Sequence, residues 1–432
     1  MDQESIYNRL FGLNPVIPLG HPWLSATGGP RLSAEVIEAM SEAANYKINM
    51  TDLLLQSGEA IAEMLGAEAA FITSCDCAAH TLATAGIMAG TDAAKMEQLP
   101  DTECPVPLKN EFIIQVGMHE QYINAFRAAG GKLVWVGGKG SGLRTEYDQK
   151  TMKIKIKGIK ITPEEVEHAI NERTAGIIAA IHCGPSAPPP CTLPVEEAIK
   201  IAKKYGIPTI VDAPHVPAAG GKVGRAFLRK YIDMGVDLVC VSGGKGIEGP
   251  NATGIIYGKK DLIQAAAPQG APGIPLYAGT PQEVSLPRTL VGRGFKVSKE
   301  QIVGLVVALK RYLAMDDDAI TSRDTKVCQW IADQFNDFPH IKVTGLVPEN
   351  NWPNDNMYEG GPSCILDIDE KSLGIRVTDV PKLMLGGDSP AVEIGLGTAL
   401  APWGKLQLFS HGLKDNEVEI VIDKLKRVLS IA

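Results

Sequence analysis

Short apolar runs alternate with amphipathic stretches along most of this 432-residue chain, and the alternation is the first guide to its fold. Gly176–Ile181, Ile207–Ala213 and Val236–Ser242 are short, β-branched and bounded by turn residues, which marks them as strands. Between the first two, Val195–Tyr205 has helical periodicity and runs into Gly206 and Pro208, residues that end helices. Strands that are apolar throughout, with helices between them, predict a parallel sheet covered on both faces. Lys132–Val136 and Thr253–Tyr257 read as further strands. A helix is predicted from Ser33, with Val36, Ile37 and Met40 at helical spacing, and another over Asp52–Leu65, closing at Gly66. Thr162-Pro163-Glu164-Glu165 forms a capping box, and Ser298 with Gln301 forms a second. The latter opens a long helix that carries Ile302, Leu305, Val306 and Leu309 on one face.

The punctuation divides the chain. Residues 1–30 are rich in Pro and Gly and read as an irregular arm; Thr151–Lys160 reads as a polar excursion. A second Pro- and Gly-rich stretch, from Pro268 to Pro287, reads as a join. Beyond it, strands at Ile341–Thr344 and Cys364–Ile368 and the amphipathic helix Asn416–Leu429 have α+β character. The expected organisation is an N-terminal arm over 1–30, a large α/β domain with a mostly parallel sheet over 31–287, and a smaller α+β domain over 288–432.

Composition narrows the class. Hydrophobic residues make up 45% and charged ones 21%, an ordinary globular balance that excludes disordered, collagen-like and coiled-coil chains. Lys and Arg total 42 against 50 for Asp and Glu, a net charge of −8, which disfavours a nucleic-acid partner gripped through many phosphates. No apolar run approaches the roughly 20 residues of a membrane span, and Met1–Leu10 carries Asp2 and Glu4 in place of a basic signal-peptide start. The expectation is a soluble, cytoplasmic protein. Eight scattered cysteines suit neither a disulfide scaffold nor a zinc hook, and Cys75-Asp76-Cys77 has the spacing of neither, so no metal site is expected. His119-Glu120 does not extend to HExxH, because Ile123 stands where the second histidine would be.

The familiar phosphate cradles are also missing: there is no GxxxxGK[ST], no GxGxxG opening a helix and no GxSxG elbow. What remains lies at the ends of two strands. Ile207–Val211 delivers Asp212, followed by Ala213-Pro214-His215, and Val236–Val241 delivers Ser242-Gly243-Gly244-Lys245-Gly246. Ligands of open α/β sheets sit outside the carboxyl ends of strands, so both clusters would face one crevice. A lone Asp or Lys there is commonly a solvated loop charge. Together they match what pyridoxal phosphate needs, an amine to take the cofactor as a Schiff base and a carboxylate to keep its ring nitrogen protonated.

Four segments carry a resemblance to a known family: Ala26-Thr27-Gly28-Gly29, Leu65 to Ala70, Ser242 to Gly254 with its Gly249-Pro250, and Gly292-Arg293-Gly294-Phe295-Lys296 running to Ile302. Through them the chain resembles fold-type I pyridoxal phosphate enzymes (the aspartate aminotransferase-like fold) of the selenocysteine synthase-like group, L-seryl-tRNA(Sec) selenium transferase, which includes the D-glucosaminate-6-phosphate ammonia-lyase type. The resemblance spans about residues 20–310. It implies that Lys245 is the Schiff-base lysine and proton shuttle, and that Asp212 pairs with the ring nitrogen. Ser74, Cys75, Asp76 and Cys77 fall where the family has a loop and helix start beneath the cofactor phosphate, and Ser242 where a hydroxyl reaches the same phosphate. His119 matches the ring-stacking position, against the alternative of a surface histidine. His215 would contact the phenolic oxygen or orient Asp212, or else be a plain loop histidine. Arg293 and Lys296, with Thr27, are candidates near the substrate; the cationic pair reads equally as a solvated helix start.

The activity implied is a pyridoxal phosphate-dependent lyase that eliminates across the α,β bond of a small amino acid or amino-sugar acid, releasing ammonia and a keto acid. An aminotransferase, racemase or carbon–sulfur lyase on the same scaffold remains open, as do a seryl-tRNA selenium transferase, against which the acidic balance argues, and a retired scaffold. The expected partners are a small-molecule amino substrate and further copies of the chain, as a homodimer or higher even assembly.

Overall fold

Strands form where the apolar runs are densest. In this computed structural model the described residues are 5–20, 22–115, 122–137, 145–148, 153–156, 161–180, 193–270, 290–347, 362–387, 390–395, 400–401 and 404–430. A seven-stranded sheet is built in the order Ala69–Thr73, Gly254–Gly258, Leu238–Ser242, Thr209–Asp212, Thr174–Ala180, Glu111–Gln115, Lys132–Val136. Gly254–Gly258 runs antiparallel to both neighbours, and the remaining pairings are parallel. Ile210, Val211, Leu238, Val239, Val241, Ile255 and Ile256 are fully buried, as strands covered on both faces must be.

Most predicted elements stand within a residue or two of their expected ends, including Val195–Tyr205 and both capping boxes. Two edge-region strands, Ala69–Thr73 and Glu111–Gln115, have no counterpart in the reading of the sequence: the first is alanine-rich and the second carries Glu and Gln at its ends. Within the polar excursion, Lys153–Ile156 pairs antiparallel with Thr145–Asp148. The arm is likewise not wholly irregular. Ser5 caps a short helix, Ile6–Phe11, by accepting from the Asn8 amide, and Val16–Pro18 pairs in parallel with Ala391–Glu393.

Helix Asp76–Ala89 is apolar on nearly all sides and lies between the sheet and helix Lys260–Gly270. Helix Lys299–Leu313 buries Ile302, Leu305, Leu309 and Tyr312 in this same core, with Val306 half-buried. A second core begins beyond Leu313. It is built on the antiparallel strands Ile341–Val347, Ser363–Ile368 and Lys405–Phe409, packed by helices Asp317–Asp333 and Asp415–Ser430, and it includes Leu19 from the arm.

Candidate active site

Register decides where the chemistry falls. Gly254 stands opposite both Thr73 and Ser242, so the strands Ala69–Thr73 and Leu238–Ser242 end level with one another at the carboxyl edge of the sheet. Each continues into a loop there. After Thr73 come Ser74 and Cys75, which opens helix Asp76–Ala89; after Ser242 come Gly243, Gly244 and Lys245. The next strand across, Thr209–Asp212, ends at Asp212 opposite Cys240. These loops can approach so closely because Gly254 and Gly243 lack side chains. A Cβ on Gly254 would lie 2.5 Å from the Cys75 carbonyl carbon, and one on Gly243 would lie 2.3 Å from Thr253 Oγ1.

Lys245 is half-buried, its Nζ 3.1 Å from His215 Nε2 and 5.7 Å from the centre of the Tyr122 ring. Asp212 is buried. Burial, reinforced by nearby Asp76, pushes the Asp212 carboxyl well above the usual range, and Lys245 pulls it partly back. Tyr122 feels Asp212, Cys77 and Asp76 after burial, which keeps its phenol protonated. His80 is completely buried in the same cluster, its Nε2 3.1 Å from Asp212 Oδ1 and 3.5 Å from Asp76 Oδ2.

At the helix opening, Cys75 is the N-cap, its Sγ accepting from the Ala78 amide at 3.3 Å. The thiol of Cys77, and then that amide, favour the Cys75 thiolate over the cost of burial and lower its pKa to about 6. Cys77, the donor of the pair, is pushed up. The opening turn of a 14-residue helix, with its positive dipole end, suits an anion such as a phosphate.

The structure thus draws together Ser74, Cys75, Asp76, Cys77, Asp212, His215, Ser242 and Lys245. Thr27 is exposed, and its Oγ1 donates to Leu24 O. Arg293 and Lys296 are exposed around the 3-10 turn Val291–Phe295, and no hydrogen bond or ion pair among the described residues joins them to the cluster. His119 lies outside the described residues. Arg376, the lone arginine between Arg323 and Arg427, is spoken for at the surface by Asp379, 2.9 Å away. Reasoning from sequence passed over His80 and Tyr122. The Asp76–His80 spacing of four on a helix, which sets two side chains on one face, was the available signal for the first.

The donor set fits pyridoxal phosphate: a buried carboxyl for a ring N–H⁺, an amine in the same cleft, and a helix opening for the phosphate. Comparison with known proteins agrees. Residues 25–281, more than half of the chain, match the family model for aminotransferase class I and II, and the chain belongs to that family of pyridoxal phosphate-dependent enzymes. It is 28% identical over 423 residues to 5'-C-glycyluridine monooxygenase-decarboxylase of a Streptomyces species, covering 96% of this chain and 90% of that one. It is 28% identical over 314 residues to D-glucosaminate-6-phosphate ammonia lyase of Salmonella typhimurium, covering 71% of this chain and 70% of the relative. A solved structure of D-glucosaminate-6-phosphate ammonia-lyase shares the fold, with a TM-score of 0.73 at 23% identity over 99% of this chain and 98% of that one. The expected family, fold class and cofactor are borne out. Among the described residues no helix is long and apolar enough to cross a membrane.

Proposed function

We propose that the protein is a pyridoxal phosphate-dependent lyase that removes ammonia from an amino acid bearing a polar, hydroxylated side chain, such as an amino-sugar acid. The observation that carries the reading is the convergence of Asp212 and Lys245 at the ends of neighbouring parallel strands. When bound, the cofactor supplies an electron sink for the carbanion left as a bond to the substrate's α-carbon breaks.

The chain's own groups have definite tasks. Lys245 Nζ would be the amine that holds the cofactor, and once released it would take the proton from the substrate's α-carbon. His215 Nε2, 3.1 Å away, accepts a proton from that amine and returns it. Asp212 would keep a proton at the cofactor's ring nitrogen, its own burial keeping competing water away. The opening N–H groups around Ser74, Cys75, Asp76 and Cys77, with the Ser242 hydroxyl, bind the phosphate. The family resemblance would give His119 the role of stacking on the ring. Arg293, Lys296 and Thr27 approach an anionic substrate when a second copy of the chain completes the site, and the working form is a homodimer or a higher even assembly in the cytoplasm.

The substrate class follows from the relatives' names: one acts on a phosphorylated amino-sugar acid and another on a glycine unit joined to a nucleoside. The second name also favours an alternative, oxidative loss of the substrate carboxylate, because that relative matches nearly the whole chain.

Borohydride reduction of the loaded protein followed by peptide mass spectrometry tests the assignment. The cofactor is expected on the peptide containing Lys245 and nowhere in Lys245→Ala; a cofactor fixed elsewhere would sink the proposal. A screen of hydroxylated amino acids then separates the activities, ammonia with a keto acid marking the lyase and carbon dioxide with consumed oxygen marking the alternative.

A further inference from the structure

Three ionisable groups, Asp76, His80 and Asp212, are buried together at the cleft floor with ligand atoms within 4.8 Å of one another. Phe126 stacks on the His80 ring, 4.8 Å away and tilted by 20°. Within the cluster His80 Nε2 lies 3.1 Å from Asp212 Oδ1 and 3.5 Å from Asp76 Oδ2, and nothing outside the cluster among the described residues satisfies these atoms, His80 Nδ1 or Asp76 Oδ1. So many buried polar atoms left to one another in one place require an explanation. Cys75, Cys77, Tyr122, Cys240 and Lys245 also face the group. Two carboxylates beside a neutral imidazole would concentrate two negative charges where water cannot reach, so the cluster must hold a proton.

We infer that His80 is a positioning residue for Asp212: its Nε2 takes the cluster's shared proton when the cofactor ring arrives and so holds Asp212 as the carboxylate that faces the ring nitrogen. The inference rests on the reading of Asp212 as the ring's partner. Before the ring is present, burial pulls His80 down and Asp212 up, leaving the proton on the Asp212 carboxyl. A ring nitrogen already protonated at neutral pH needs no proton from the chain. The Asp212 proton then crosses the 3.1 Å to Nε2 of His80. Charge now alternates from the imidazolium through Asp212 to the ring N–H, positive, negative, positive. No proton is gained or lost overall. Asp76, 3.5 Å from the same nitrogen, stabilises the imidazolium from its other flank.

Pyridoxamine 5'-phosphate tests this without involving Lys245, because it lacks the aldehyde that the amine would attack. Its affinity is measured by calorimetric titration across pH for the wild type, His80→Phe, Asp212→Asn and the double variant. His80→Phe is expected to bind about ten- to a hundredfold more weakly, as when a hydrogen bond to a charged group is lost. Its binding should also fall away at lower pH than the wild type's, since a ring nitrogen facing a neutral acid surrenders its proton sooner. The double variant should be no worse than Asp212→Asn alone, because His80 acts through Asp212. Unchanged binding by His80→Phe at every pH, or losses that add in the double variant, would overturn the inference. Should His80→Phe fail to fold, Asp76→Asn, nearly identical in shape, carries the same test: weaker binding is expected, and unchanged binding overturns it. Failure of the wild type to bind the probe would instead overturn the functional reading on which the inference stands.

Discussion

Glu248 and His411 reach each other between the two cores, Oε1 to Nε2 at 3.5 Å. Glu248 belongs to the loop that carries Lys245, and its amide donates to Lys245 O at 2.7 Å. It holds a φ of 56°, a left-handed conformation that few residues with side chains adopt. Such strain persists only where the surroundings impose it. Here Arg311, from the helix Lys299–Leu313, grips Glu248 Oε2 at 3.0 Å, while Asp324 holds His411 Nδ1 at 2.9 Å. The lysine loop is therefore fastened to the C-terminal core by a buried row of charges.

That row makes stability depend on alkaline pH. Burial draws His411 down, but Asp324 and Glu248 outweigh it and lift its pKa to about 9. A histidine raised in the folded state stabilises fully below its unfolded value of about 6.5, and loses that contribution as pH rises through the folded value. The melting temperature of the wild type is expected to decline between about pH 7 and pH 9. His411→Gln should melt lower at neutral pH, by the equivalent of about 3–5 kcal/mol for one partner removed from a buried pair, and should lack that decline. Differential scanning calorimetry across pH checks both; a parallel decline in wild type and variant would contradict the assignment.

His215 should govern how readily Lys245 reacts. An ammonium is not a nucleophile, and the imidazole 3.1 Å away can accept its proton. Covalent capture of pyridoxal phosphate by His215→Asn, followed by borohydride trapping, is expected to be about a hundredfold slower near neutral pH. The deficit should shrink towards about pH 10, where the amine loses its proton unaided.

Cys75 is expected to be the thiol that alkylates first. With its pKa lowered to about 6, it is largely thiolate at neutral pH, whereas an ordinary thiol titrates near about 8.5. Peptide mass spectrometry after brief iodoacetamide treatment should find the label on Cys75 ahead of exposed Cys104 and of Cys77. Bound cofactor phosphate should shield it, and equal labelling with and without cofactor would contradict the place given to the Ser74–Cys77 segment.

Much of this was legible in the chain because the relevant signals are local. Asp212 and Lys245 each follow an apolar strand, and once the strands are recognised as parallel neighbours the two residues must share an edge. Caps and turn residues marked helix ends for the same reason. His80 was hidden by its setting, since a histidine within Ala78-Ala79-His80-Thr81-Leu82 looks like any position in a buried helix until the neighbouring strand is seen to end at Asp212. Tyr122 carries no pattern of its own. The Glu248–His411 link joins positions 163 apart in sequence and depends on both cores being assembled, so no periodicity could announce it.

The strand Gly254–Gly258 doubles back between the two loops, with bare backbone at Gly254 pressed on Cys75. The interval from the lysine loop to the helix opening is accordingly set by main-chain thickness, and exchanging side chains around the cleft cannot stretch or shorten it. Descendants of such a scaffold are free to change what enters the cleft while the gauge of its floor stays constant. Relatives with different named activities on one fold are what such a fixed gauge permits.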